Sequence, residues 1–100
     1  MNKVPAFTPG DRVCSGPTSD DVRCMRKVWV ATVWHAYTGE DGAPTVETRG
    51  QWYRLATGEP TLEPIGCMET NRAPSADSLC PYTPATVAAV CTALAARRTQ

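Results

Sequence analysis

Residues 22–37 read Val22-Arg23-Cys24-Met25-Arg26-Lys27-Val28-Trp29-Val30-Ala31-Thr32-Val33-Trp34-His35-Ala36-Tyr37, and this run decides the fold. Val, Trp, Thr and Tyr suit a pleated, half-buried surface. The run is longer than the usual strand of about 5–6 residues, so a bend or break is expected near Arg26-Lys27. In the second half, Val28, Val30, Thr32, Trp34 and Ala36 share one parity, and Trp29, Ala31, Val33, His35 and Tyr37 the other. Both sets are apolar. The segment 28–37 is therefore predicted to be a central strand covered on both sides.

Working outward, Pro9-Gly10-Asp11 is a turn signal before a strand at Arg12-Val13-Cys14, and residues 15–21 (SGPTSDD) read as a loop. Residues 38–44 (TGEDGAP) form a hairpin turn. Thr45–Leu55 is the return strand, with Gly50 as the expected bulge. Residues 56–60 turn again, and Thr61–Met68 is a short strand that Pro64 demotes to an edge or a break. Residues 69–82 are polar and Pro-containing and read as a connection. Thr83 and Pro84 open a helix over 83–98, as N-cap and first residue. Its apolar stripe is Val87, Val90, Cys91 and Leu94, and Arg97 and Arg98 complement its dipole.

The expected architecture is one domain over 1–100, mainly β in the α+β class. An arm (1–8), anchored by Phe7, precedes a sheet or barrel (9–68), a connection (69–82) and a C-terminal helix (83–98) packed on the sheet. Either a small barrel or a bent antiparallel sheet satisfies this pattern. The string Phe7-x-Pro9-Gly10-Asp11-Arg12-Val13, followed by a Trp-rich strand, resembles the opening of SH3-like barrels. It is also similar to the start of the small plasmid-borne dihydrofolate reductases that confer trimethoprim resistance. Their Val-Gln-Ile-Tyr strand is not found here, so that activity is not carried over.

Composition bounds the function. Lys plus Arg equals Asp plus Glu, giving a net charge of zero. Such a chain has no global attraction for nucleic acid or anionic membrane, and its weak self-repulsion is compatible with a homodimer. No stretch reaches the ~20 apolar residues that cross a bilayer. The first ten residues lack the apolar core of a signal peptide. A cytoplasmic setting is expected, where the five cysteines are free thiols. In an oxidising setting Cys14–Cys24 and Cys80–Cys91 are the pairings to consider, with one Cys left over.

No site motif for chemistry is present. Cysteine neighbours are separated by at least nine residues, without the close pairs of a zinc site. His35 is the only histidine and has no evident nucleophile beside it. No catalytic residue, metal ligand or cofactor is assigned. The aromatic residues are more informative, because Trp, Tyr and Arg dominate protein interfaces. Trp29, His35, Tyr37, Trp52, Tyr53 and Arg54 are the candidate binding residues, on strands 28–37 and 45–54.

The leading expectation is a non-catalytic interaction module, an adaptor, regulator or inhibitor that docks on a larger protein. Small domains of this kind are often accessory proteins of phages or other mobile elements. One alternative is a nucleic-acid-binding β-barrel using Arg23, Arg26 and Lys27 beside the aromatics. Another is a small enzyme whose site is shared in a homo-oligomer.

Overall fold

The computed structural model describes residues 7–57 and 61–98, with side chains as far as residue 96. Residues 1–6 of the expected arm, 58–60 of the expected turn and the Arg97 and Arg98 side chains lie outside this description. The elements run β1 (Arg12–Ser15), a single helical turn α1 (Asp20–Arg23), β2 (Val28–Thr38), β3 (Pro44–Leu55), β4 (Leu62–Pro64) and β5 (Thr70–Arg72). A 3-10 turn (Ala76–Ser78), β6 (Leu79–Pro81) and α2 (Pro84–Arg98) complete the order. The fold is α+β and mainly β.

All strand pairings are antiparallel, in the order β4-β3-β2-β1-β6, with β5 beside β4 on the outer side of β3. The sheet is open. Of the two forms expected, the antiparallel sheet is the one found, and no barrel closes among the described strands.

The run 22–37 breaks where the basic residues interrupt it. Val22 and Arg23 end α1, and Arg26 adopts φ 57° before β2 begins at Val28. The loop reading of 15–21 missed α1. Its signal was legible, with Ser19 as N-cap and Asp20 and Asp21 in the first turn. The Ser19 hydroxyl, however, donates to the Gly16 carbonyl (2.6 Å) instead of capping.

The two faces of the sheet hold separate cores. On one, Val13, Trp29, Ala31, Val33 and Val46 pack with Phe7, Ala76 and Leu79. On the other, Cys14, Val28, Val30 and Leu55 pack with Val22 of α1 and Val90, Cys91 and Leu94 of α2. The α2 stripe is thus the predicted one, and the Thr83 hydroxyl accepts the Thr86 N–H at 3.2 Å. Each fully buried Val or Leu stabilises by roughly 1.5–3 kcal/mol, which holds a helix that would be marginal alone.

The stretch 69–82 is more than a connection. It adds β5 to one side of the sheet and β6 to the other. Between them, Ala76 crosses the first face and seals it. Three-residue strands are too short to show periodicity, so sequence reading had no signal for them.

A polar network joins these parts. Asp21, buried, accepts the Ser15 hydroxyl at 2.7 Å and both terminal nitrogens of Arg72 at 3.1 and 3.2 Å. Ser15 Oγ accepts the Trp29 N–H at 2.8 Å. Trp29 Nε1–H donates to Thr48 Oγ1 (2.8 Å), which donates to the Arg72 carbonyl (2.8 Å).

Gly50 carries no bulge, contrary to expectation. It pairs in register with Ala31 on one side and Thr70 on the other. A Cβ there would lie 2.0 Å from the Val30 carbonyl oxygen and 2.5 Å from Ala31 Cα. Glycine is required for this close strand approach. The extra residue sits on the neighbouring strand instead, where the register shifts between Val33 and His35.

Three substitutions test these contacts. Gly50→Ala clashes with backbone, which cannot rotate away, so a urea melt should show a loss at or above about 3 kcal/mol. Asp21→Ala leaves Arg72 and Ser15 without their acceptor and should cost about 2–4 kcal/mol, a buried pair's loss reduced by the part-exposure of Arg72. By contrast Arg54→Ala, which breaks the exposed pair with Glu63 (2.9 Å), should cost under about 1 kcal/mol.

Candidate functional site

The bulge on β2 decides which side chains face solvent. Thr32 pairs with Arg49 and Val33 with Thr48, but His35 pairs with Glu47. Trp34 is the inserted residue. Beyond it the alternation resumes one step out of phase, so His35 and Tyr37 now lie on the same face as Thr32 and Arg49. Trp34 joins them, lining one groove with Thr32, Arg49, Glu69 and Asn71.

This is the face that α2 covers, but α2 packs only over the Val28–Val30 end. From Trp34 onward β2 is uncovered. Trp34 is 53% exposed and Tyr37 41% exposed, and His35 is exposed between them. The rings form a continuous row. Trp34 and His35 centroids are 6.3 Å apart, and His35 and Tyr37 stack at 5.5 Å with 23° between planes.

Beside the row, the groove encloses about 390 Å³. Arg49 crosses it, donating to Asn71 Oδ1 at 3.2 Å and approaching Glu69 at 3.5 Å. From the other side, Arg12 donates to Thr32 Oγ1 at 3.1 Å. The surface combines flat rings with polar groups at one border. It presents no paired nucleophile and base, since His35 has ring neighbours and no hydrogen-bonded hydroxyl or thiol among the described residues.

The candidate residues divide. His35 and Tyr37 are on the open face. Trp29 is not a surface residue. It has no exposed area and its indole N–H is taken by Thr48. The expectation that it contributes a binding surface is corrected by its place under Phe7, Ala76 and Leu79.

Trp52 is half-buried against Trp29 (5.2 Å, 64°), with Lys27 Nζ 4.0 Å and the Arg72 guanidinium 4.6 Å from its ring. Tyr53 is half-buried against the second core, its hydroxyl accepting from Gln51 Nε2 at 3.3 Å. Arg54 is exposed and paired with Glu63. Arg23 and Arg26 are exposed near the start of β2, away from the aromatic row, and Lys27 is committed to Trp52.

The prediction that 28–37 is covered on both sides holds for 28–31; Val33 is still buried on the first face, while Thr32 and every residue from Trp34 onward are exposed. Trp34 was not among the expected binding residues, because both parities of 28–37 were expected to be under cover. The signal available was the end of the Val ladder at Val33.

All five cysteines are free thiols. Neither pairing considered from sequence is formed. Cys14 instead faces Cys80 across the β1–β6 ladder. Burial, aided by the neighbouring Cys80, pushes the Cys14 thiol up to about 12. Burial likewise raises Cys91. Cys24 and Cys67 are exposed. Among the described residues, no three His, Cys, Asp or Glu side chains gather where a metal ion could be held. No described helix is long and apolar enough to cross a membrane.

Comparison of the chain with protein-family models, with curated proteins and with solved structures finds no match. The geometry therefore carries the functional reading.

The thiols supply a pH test. Cys14 is neutral when folded but ionises above its ordinary value of about 9 when unfolded. Its contribution to stability is full below pH ~9 and is lost as pH rises towards about 12. Cys14→Ala should flatten the fall in unfolding free energy across that alkaline window. At neutral pH, a thiol reagent should modify Cys24 and Cys67 first and leave Cys14 and Cys91 protected until the chain unfolds.

Proposed function

We propose that this protein is a non-catalytic interaction module that docks on a larger protein in the cytoplasm through the uncovered half of the α2 face. The observation that carries this reading is the β2 bulge, which puts Trp34, His35 and Tyr37 side by side in solvent. A strand that only had to complete a sheet gains nothing from this arrangement. Keeping strict alternation would have sent His35 and Tyr37 to the face that already buries Val33 and Val46.

Large aromatic side chains bury about 150–250 Å² each when covered and are enriched among the residues that dominate interfaces. The row is held on a paired strand, so little order is lost on binding.

The nucleic-acid alternative has less support. A base needs a free ring to stack on beside the basic cluster. The ring nearest Lys27 is Trp52, and it already carries two cations of its own. For the shared-site enzyme, no hydroxyl or thiol is hydrogen-bonded to His35 among the described residues.

Affinity capture from the native host, comparing wild type with Trp34→Ala, tests the reading. The variant should lose the captured protein, a change of about 2 kcal/mol or more in binding. Its own stability should stay within about 0.5 kcal/mol, since Trp34 is a surface residue. Equal capture by both proteins, or no capture by wild type, overturns the proposal.

A further inference from the structure

We infer that the group this aromatic row receives is cationic, a Lys or Arg side chain on a basic segment of the partner protein. The inference rests on the docking role proposed above and names the partner's chemistry.

The argument begins with what the protein does with its other rings. Trp52 holds Lys27 and Arg72 at 4.0 and 4.6 Å, Trp29 has Arg72 at 5.7 Å, and Tyr82 has Arg12 at 5.8 Å. An aromatic face attracts a cation through its quadrupole. Trp34 and Tyr37 are the more exposed rings, yet among the described residues no cation covers either.

The charges around the row have the matching sign. Glu47 lies directly across from His35, and Glu40 and Asp41 stand in the turn just beyond Thr38. None of the three is in an ion pair among the described residues. Of the two arginines at the border, Arg49 is offset by Glu69 and bonded to Asn71, while Arg12, bonded to Thr32 and lying over Tyr82, sets one positive charge against the three carboxylates.

Arg23 and Arg26, also without an ion pair, lie before the start of β2, which is itself about 20 Å from Trp34 at about 3.3 Å per residue. At physiological salt that is more than two screening lengths of about 8 Å. Locally the row is therefore a set of open π-faces edged by three carboxylates that no cation pairs among the described residues, although Asp41 accepts the Ala43 N–H at 3.0 Å. This environment favours Arg or Lys and repels an acidic partner or a phosphate backbone.

The full chain labelled with ¹⁵N provides the test, because the indole N–H signals report the tryptophans separately. The probes are a short capped oligo-arginine peptide, an oligo-glutamate peptide of equal length and a single-stranded oligonucleotide. Oligo-arginine should move the Trp34 indole signal and leave that of Trp29 in place. Its affinity should fall about two- to fivefold in Glu47→Gln, the change expected from one exposed interaction of this kind. It should fall further in Glu40→Gln/Glu47→Gln, and the binding should vanish in Trp34→Ala. Oligo-glutamate should do nothing.

An unmoved Trp34 signal overturns the inference, as does a titration unchanged by Glu47→Gln. So does a Trp34 shift with the oligonucleotide, which would make the ligand a nucleic acid. Concentration-dependent dimerisation abolished by Trp34→Ala would overturn it too, by making the occupant a second copy of this chain. If Trp34→Ala abolishes capture of the host protein while oligo-arginine has no effect, docking stands and the cationic chemistry falls. If oligo-arginine binds but capture is indifferent to Trp34, the docking role falls and the inference with it.

Discussion

The carboxylate of Asp21 is held by a hydroxyl from β1 and a guanidinium from β5, fifty-one residues further along the chain. Two elements that sequence periodicity could not place, α1 and β5, meet in this contact. Ser15 passes it to the backbone of Trp29, and the Arg72 carbonyl receives Thr48, which in turn satisfies the Trp29 indole. A buried carboxylate is costly unless its oxygens are filled. Here they are filled by groups that arrive only when β1, α1, β2, β3 and β5 are all in place. The network contributes specificity as well as energy, because the mispaired alternatives leave a charge in the interior.

That constraint explains how so small a chain covers both faces of its central strand. Once Arg72 is fixed beside β3, the following residues can leave that side of the sheet, cross the first face through Ala76 and return as β6 beside β1. Trp52 benefits from the same residue, since Arg72 and Lys27 lie over its ring and shield it. The opposite face is covered by α1 and α2. Two thin cores of mostly Val and Ala side chains thus replace one large one, and Val28–Ala31 of β2 between them become fully buried.

The other half of β2 is freed by the bulge. One inserted residue changes the phase of the strand, and a row that would have been divided between two faces becomes a single aromatic surface. One strand thus has a buried end, Val28–Ala31 with Val33, and an open end, Trp34–Tyr37. Lys27 and Arg72 lie over Trp52 near the buried end, and Glu40, Asp41 and Glu47 near the open end are in no ion pair among the described residues.

Much of the scaffold was legible from residue order. The β2–β3 hairpin, the break at Arg26-Lys27, the edge character of the strand with Pro64, and α2 with its cap and stripe all depend on neighbours within a few positions. For these, local propensity and periodicity carry the information. The site was only half legible. His35 and Tyr37 could be picked out as binding candidates, but Trp29 was counted with them and Trp34 was left out. Parity assigns faces correctly only while the ladder is unbroken, and a bulge is set by how two strands meet, not by either one. Gly50 marks the same limit. A glycine in a strand announces a special backbone position, but whether it bulges or lets a neighbour approach depends on Val30 and Ala31 across the ladder. Residue order determined which segments extend and which coil. Tertiary pairing alone decided which side chains were left facing water, because exposure is a property of what is packed opposite.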